Sequence, residues 1–243
     1  MGIYKLIFLL FLNALSLLMC CSRDKFHILV ITGGHDFERA SFFKMMDGYT
    51  DVRYQEMSHP QANAQLGSQA VKTCDAMVFY DMNQDISAEQ KALFMDLLKQ
   101  GKGMVFLHHS LASYQQWDEF AKIRGGRYHL EPGRFAGMDL PASTYRHDVD
   151  IAVKITDPSH PVTKGLVDFT IHDEVYGQFS VLPGVTPLLT TDHPESSPVI
   201  AWTHRYENSR IIYIQLGHDH VAYENAAFKK LAHQAVLWAC ANP

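Results

Sequence analysis

The first half of the chain alternates short apolar runs with segments of helical periodicity, and this alternation constrains the fold more than any other feature. Phe26–Thr32 is rich in β-branched residues and stops at Gly33-Gly34. Apolar residues then recur at helical spacing over residues 36–47. This order is typical of a strand followed by a helix, the opening unit of an α/β fold.

The next unit repeats the order with clearer boundaries. Ala76–Tyr80 has the composition of a buried strand, and Ser87 with Gln90 matches the pattern of a capping box at a helix start. An apolar stripe follows as far as Gly101, after which Met104–Leu107 returns as a strand. Because a helix between neighbouring strands makes a right-handed crossover, the sequence predicts a mainly parallel sheet.

The alternation weakens in the second half of the chain. Residues 125–147 are rich in Gly, Pro and polar residues without a clear period. We expect an irregular insertion here, a loop or lid, inside one domain of residues 22–243. The segments predicted after it are four strands and a closing helix: Val149–Ile155, Asp168–Ile171, Val199–Trp202, Ile211–Leu216 and Asn225–Ala239.

The N-terminal segment predicts export. Residues 1–19 combine an early Lys5 with an apolar stretch too short for a comfortable membrane span, so residues 1–21 are predicted to be a signal peptide of the lipoprotein type. Cys21 follows the small Cys20 and is the better candidate for lipidation, with Cys20 as the other; simple cleavage is the alternative. The expected location is the periplasm or cell surface, with membrane contact only through a lipid anchor.

Composition excludes several classes of protein. A hydrophobic fraction of 47% with 19% charged residues indicates a globular domain, and the formal net charge of -5 offers no basic surface for nucleic acid. Cys74 and Cys240 stand alone, so we expect them to pack in the core rather than form a disulfide. A small, uncharged or weakly charged ligand fits this composition better.

Histidines follow several strand-like runs. Because the carboxyl ends of parallel strands meet along one edge of the sheet, these imidazoles are expected to converge there. With one carboxylate they suit either proton transfer or a divalent metal such as Zn²⁺, and the sequence leaves both possibilities open. The predicted centre, which is also the set of candidate metal ligands, is His35, His109, Glu174 and His218. The predicted supporting and substrate-binding residues are His108, Asp173, Tyr176 and Trp202.

Six motifs carry a family resemblance that covers almost all of the chain after the signal peptide. The motifs are Gly33-Gly34-His35-Asp36-Phe37, Leu107-His108-His109-Ser110, Asp157-Pro158-Ser159-His160-Pro161-Val162, His172-Asp173-Glu174-Val175-Tyr176, Pro198-Val199-Ile200-Ala201-Trp202 and Leu216-Gly217-His218-Asp219-His220. Together they resemble the ThuA-like, or trehalose utilization, family.

The resemblance implies a flavodoxin-like sheet with helices on both faces, related to class I glutamine amidotransferases. It also implies a role in carbohydrate metabolism, often beside an oxidoreductase that makes 3-keto sugars. The amidotransferases place a cysteine nucleophile after the strand that corresponds to Met104–Leu107, where this chain has His108, His109 and Ser110. Amidotransferase activity is therefore not expected.

Two functions remain from the sequence. The first is an enzyme that isomerises, eliminates or hydrolyses a sugar or 3-keto-glycoside by histidine and glutamate proton transfer or with a metal. The second is a non-catalytic carbohydrate-binding or accessory protein that works with a sugar oxidoreductase.

Overall fold

The computed structural model describes residues 25–241, and over this range it contains thirteen strands and seven α-helices. The strands are β1 Phe26–Gly33, β2 Val52–Ser58, β3 Ala76–Asp81, β4 Gly103–Leu107, β5 Gly126–Arg127, β6 Gly133–Phe135, β7 Met138–Leu140, β8 Thr144–Ile155, β9 Phe169–Gly177, β10 Ser180–Val181, β11 Thr186–Thr191, β12 Val199–Tyr206 and β13 Ser209–Ile214. The helices are α1 Arg39–Asp47, α2 Gln61–Ala64, α3 Gln69–Thr73, α4 Ala88–Lys99, α5 Asp118–Arg124, α6 His220–Glu224 and α7 Ala226–Cys240.

Nine strands form one sheet in the order β2-β1-β3-β4-β13-β12-β11-β8-β9. Side chains along β1 alternate between two apolar cores: Ile28 packs in the core that contains Phe228 of α7, and Leu29 packs in the core that contains Phe94 of α4. Helices therefore cover both faces of the sheet, and the predicted α/β fold class is confirmed. The predicted capping box of Ser87 and Gln90 is also present at the start of α4.

The expectation of a mainly parallel sheet holds for only half of it. Strands β2, β1, β3, β4 and β13 are parallel, whereas β12, β11, β8 and β9 extend the sheet by antiparallel pairing. The physical reason is the length of the connections. Only Glu207 and Asn208 separate β12 from β13, and so short a link joins antiparallel neighbours, whereas a parallel pair needs a long crossover.

The segment predicted as an irregular insertion contains short strands. Strand β5 pairs with β10, and β6 with β7 forms a small hairpin. The segment then enters β8, whose pairing with β9 shifts register between Arg146 and Val149, and Asp148 there has a φ of 56°. Such a bulge bends a strand and increases its twist.

The predicted signal peptide, Cys20 and Cys21 lie outside the described residues. Within residues 25–241, no helix is long and apolar enough to cross a membrane. Cys74 and Cys240 are buried and free, which agrees with a packing role.

Candidate active site at the carboxyl edge of the sheet

The carboxyl ends of three parallel strands bring four histidines together. His35 follows β1, His108 and His109 begin a 3₁₀ turn directly after β4, and His218 follows β13. His108 has a φ of 49°, in the left-handed region that costs a residue with a side chain about 1–3 kcal/mol. The fold holds this strained backbone partly through Tyr213, whose hydroxyl donates to the His108 carbonyl at 3.1 Å.

Glu174 reaches the same place from the opposite edge of the sheet. Four strands separate β9 from β4, yet Glu174 Oε2 lies 2.9 Å from His108 Nε2 and 3.2 Å from His218 Nδ1. The third side of this triangle, between His108 Nε2 and His218 Nδ1, measures 3.1 Å. The bulged β8–β9 ribbon must therefore curl over the carboxyl edge of the parallel strands.

Neighbouring backbone groups fix the orientation of this triangle. His108 Nδ1 lies 2.6 Å from the Gln215 carbonyl, which can only accept, so Nδ1 carries a hydrogen and donates. Asp173 accepts hydrogen bonds from the backbone N–H groups of Gly217, His218 and Glu174 at 2.7–2.9 Å. Asp173 thus ties the loop after β13 to β9, and its role is to position the site.

Electrostatics favour the ionised form of Glu174. Burial alone would raise the pKa of this carboxyl, but hydrogen bonds from His108 and His218 outweigh burial and hold it well below its usual value. The hydrogen bond with Glu174 correspondingly raises the pKa of His218. Burial raises the pKa of Asp173, while His108 and the three backbone donors oppose that rise.

His109 has a different environment, although it is the next residue. Its ring stacks on His35 with centroids 4.7 Å apart, and its Nε2 is buried without a hydrogen-bond partner among the described residues. Burial, followed by the nearby His108 and His35, lowers the pKa of His109 well below its ordinary value, although a hydrogen bond to the Tyr80 backbone opposes this. A neutral imidazole has one nitrogen that accepts a hydrogen, and the unpartnered Nε2 is the candidate for it.

These groups border a cavity of about 220 Å³. His35, His109, Glu174, Tyr176 and His218, all predicted from the sequence, line it. His108 lies behind this wall in contact with Glu174, His218 and Tyr176. The remaining lining residues were not predicted: Met82, Ala112, Tyr128, Leu130, Tyr145 and His147.

The most consequential residue missed from the sequence is His147. Its Nδ1 lies 3.2 Å from Glu174 Oε1, and its ring lies 4.7 Å from that of His218. Its sequence context is that of a surface turn, and only the pairing of β8 with β9 brings it to the site. The aromatic residues Tyr128 and Tyr145 were also not predicted, because they belong to the segment 125–147, whose sequence shows no clear period.

The structure places Trp202 outside the cavity, contrary to the prediction that it contacts substrate. Its side chain is completely buried, its indole nitrogen donates to the Arg124 carbonyl at 2.8 Å, and its ring packs on Tyr213. An aromatic residue in a central strand packs in the core when the helices cover that face of the sheet.

A protein-family model described as trehalose utilisation matches residues 27–239 of this chain. The chain belongs to the ThuA family. A ThuA-like protein from Parabacteroides merdae has a similar structure, with a TM-score of 0.75 and 18% identity over 90% of this chain and 91% of that chain. A ThuA-like protein from Bacteroides uniformis gives 0.68 and 17%, over 90% and 93% of the two chains.

The fold of this ThuA family member also occurs inside a larger protein. It matches 32% of a β-galactosidase from Rahnella sp. R3, with a TM-score of 0.57 and 9% identity over 91% of this chain. No curated protein matches the chain. All these identities are low, so the solved structures establish the fold, and the family name relates the chain to carbohydrate use.

Proposed function

We propose that this ThuA family member is an enzyme that removes a proton beside the carbonyl of a sugar or 3-keto-glycoside. The reaction takes place in the cavity bordered by His109 and Glu174. Proton removal at this position is the first step of both isomerisation and elimination of a keto sugar. The observation that carries the proposal is the ring of His109, whose buried Nε2 has no hydrogen-bond partner among the described residues, beside a cavity that Glu174 and His218 also line.

His109 is the candidate base because of its geometry. A buried ring nitrogen without a partner costs free energy, which a bound ligand recovers by supplying a hydrogen. His35 stacks on the ring and limits its rotation. A base held in this way is positioned before substrate arrives, and proton transfer by such a side chain contributes about 10²–10⁴-fold to a rate.

Tyr176, which lines the same cavity, suits a carbonyl oxygen. Tyr176 is buried, and burial, followed by the negative charge of Glu174, raises its pKa well above the ordinary value, so it stays a phenol that can donate a hydrogen bond. The C–H bond electrons become the C=C bond of an enediolate while the proton moves to His109 Nε2. Negative charge then develops on the carbonyl oxygen, where hydrogen-bond donors stabilise it.

The size of the cavities fits a glycoside. A volume of about 220 Å³ is below the range of about 300–1,000 Å³ for drug-sized ligands, so it suits one sugar ring. A second cavity of about 430 Å³ adjoins it and shares Leu130. Its lining includes Gln116 and Arg134, whose polar groups suit the hydroxyls of the group attached to that ring.

The proposal extends to location and partner. Export with lipidation at Cys21 would hold the enzyme at the periplasmic or cell surface, and a sugar oxidoreductase there would supply the keto sugar. The oxidation that creates the carbonyl must precede proton removal, because an unmodified sugar ring has no acidic C–H bond beside a carbonyl.

The test is proton NMR of a 3-keto-glucoside in deuterated buffer with the purified protein. We expect deuterium to replace the hydrogen beside the carbonyl, and His109→Gln to slow this exchange by about 10²–10⁴-fold with little change in sugar affinity. The matched control is His220→Gln, which removes an exposed histidine paired with Glu38, and its exchange rate is expected to equal that of the wild type.

Two outcomes would overturn the proposal. Unchanged exchange in His109→Gln would remove His109 from the role of base. Binding of the sugar by the wild type without exchange or cleavage would instead favour the non-catalytic accessory protein.

A further inference from the structure

We infer that His108, Glu174 and His218 bind one divalent transition-metal ion. This inference deepens the proposed function, on which its catalytic meaning rests, because it names the group that would draw electrons from the substrate carbonyl. The binding itself is a separate property and can be measured without any sugar.

The distances within the triangle are those of metal ligands. Its sides are 2.9, 3.1 and 3.2 Å, between Nε2 of His108, Nδ1 of His218 and Oε2 of Glu174. Ligands about 2.1 Å from a metal lie about 3.0 Å apart at adjacent corners of an octahedron and about 3.4 Å apart in a tetrahedron. One ion can therefore contact all three atoms from above the plane of the triangle with little movement of the side chains.

Three polar atoms crowd around one ring nitrogen of His108. His108 Nδ1 already donates to the Gln215 carbonyl, so Nε2 carries at most one hydrogen. Yet Nε2 lies 2.9 Å from Glu174 Oε2, 2.9 Å from the Tyr176 hydroxyl and 3.1 Å from His218 Nδ1. The Tyr176 hydroxyl and His218 Nδ1 can supply hydrogens of their own. A cation shared by the two nitrogens and the carboxylate oxygen would hold these three ligand atoms at one point.

The surrounding protein holds the three proposed ligands in place. The side chains of His108 and Glu174 are 1% and 6% exposed, so both are held away from water. The Gln215 carbonyl fixes the tautomer of His108, as an outer partner commonly does for a metal-binding histidine. His218 is 29% exposed and lines the cavity, which leaves room for a further ligand such as water or a substrate oxygen.

The donor set indicates the class of ion. Two imidazole nitrogens and one carboxylate oxygen with open positions suit Zn²⁺, Fe²⁺ or a neighbouring first-row metal, and an all-oxygen site would be needed for Ca²⁺. Three protein ligands with an open position are the pattern of catalytic rather than structural metal sites. A bound ion would polarise a carbonyl oxygen that enters the cavity.

The set differs from the one predicted from the sequence. His35 and His109 were candidate ligands, but His35 Nδ1 lies 2.6 Å from the Asp36 carbonyl and His109 Nε2 is not part of the triangle. His108 takes their place, because the left-handed turn after β4 directs its ring toward Glu174 and His218.

A nearby histidine provides a matched control. His172 lies on the same strand as Glu174, with its Nδ1 2.9 Å from Asp150 and its Nε2 3.9 Å from Asp148. It is 42% exposed, and among the described residues it is not part of the cluster formed by His108, Glu174 and His218. His172→Gln therefore removes an imidazole beside carboxylates without touching the proposed ligands. Comparison of this variant with variants of the proposed ligands distinguishes binding at the triangle from adventitious binding at surface histidines.

The experiment uses the purified full-length protein, stripped with a chelator and dialysed. Titration with Zn²⁺ by calorimetry, and with Co²⁺ by visible absorption, is expected to show one ion per chain. Glu174→Gln and His218→Ala should each weaken binding by more than about 100-fold, since even loss of an outer partner typically costs 10–100-fold. His172→Gln should bind as the wild type does.

Each outcome decides the inference separately from the proposed function. Absence of binding by a wild-type protein with native circular dichroism, or equal binding by Glu174→Gln and the wild type, would overturn the metal site. Deuterium exchange that persists after treatment with the chelator would show that the proton transfer does not need a metal. Metal binding without exchange on any keto sugar would support the site and overturn the enzyme.

Discussion

The parallel and antiparallel halves of the sheet supply the site in different ways. Strands β1, β4 and β13 deliver His35, His108 and His218 from turns that begin where each strand ends. Strand β9 delivers Glu174 and Tyr176 from inside its own hydrogen-bonded length, opposite β8. A turn can aim a side chain by its backbone angles, as His108 does, whereas a strand fixes the direction of each side chain by its pleat.

This difference has a structural consequence. The parallel half is held between helices on both faces, so its carboxyl edge is a rigid platform. The β8–β9 ribbon lies at the edge of the sheet and reaches the platform only because it bends, and the bulge near Asp148 is its visible irregularity. The β8–β9 ribbon, at the edge of the sheet, therefore completes the site.

The largest effect is expected from a change in the platform. A Cβ added to Gly103 of β4 would lie 2.1 Å from the carbonyl oxygen of Ala239 in α7, closer than any real contact. Because neither backbone can move freely, Gly103→Ala should lower the free energy of unfolding by about 3 kcal/mol. Urea unfolding followed by circular dichroism measures this.

The control for this comparison is Gly133→Ala in the β6–β7 hairpin. A Cβ there meets no atom within 4 Å, so the change should stay within about 0.5 kcal/mol. Equal losses in the two variants would show that the close approach of α7 to β4 does not stabilise the platform.

The same contrast explains what the sequence could predict. Strand runs followed by His35, His108 and His218 could be recognised because each signal is local, and a parallel sheet makes them converge. Glu174 was expected at a strand end but lies within β9, because the pattern after Ile171 gave no sign that the strand continues to Gly177.

The residues that could not be predicted depend on distant pairing. His147 becomes part of the site only through the register of β8 against β9, and no local pattern encodes which strands become neighbours. Trp202 shows the converse error, since an aromatic residue in a strand looks the same whether it contacts a ligand or the core. The antiparallel addition to the sheet was missed in part because β11 has no strong periodicity.

A moderate effect is expected from the ribbon. His147 contacts the Glu174 oxygen that is not part of the triangle, and its side chain is 46% exposed. His147→Asn should therefore weaken Co²⁺ binding and slow deuterium exchange by about 10-fold, the lower limit for a buried outer partner. The neighbouring Arg146→Gln, which changes an exposed side chain, serves as the control. If both variants behave as the wild type, the contribution of the ribbon is confined to β9.

The smallest effect concerns His204 of β12, which joins the two halves. Burial lowers its pKa, although hydrogen bonds with the backbone of Ile123 and Arg205 oppose this. Since the pKa is lower in the folded protein than in the unfolded chain, the unfolded state takes up a proton first as pH falls. The stabilisation is complete above the ordinary value of about 6.5 and decreases below it.

His204→Gln removes this titration and keeps an N–H donor for the Ile123 carbonyl, which lies 2.8 Å from His204 Nε2. The other buried histidines titrate equally in both proteins, so their effects cancel in the difference. We expect the wild type to lose more stability than the variant between pH 7.5 and pH 5, as measured by urea unfolding at several pH values. If the two proteins instead lose stability in parallel as pH falls, protonation of His204 does not destabilise the fold. The loss of stability in acid then comes from other titratable groups.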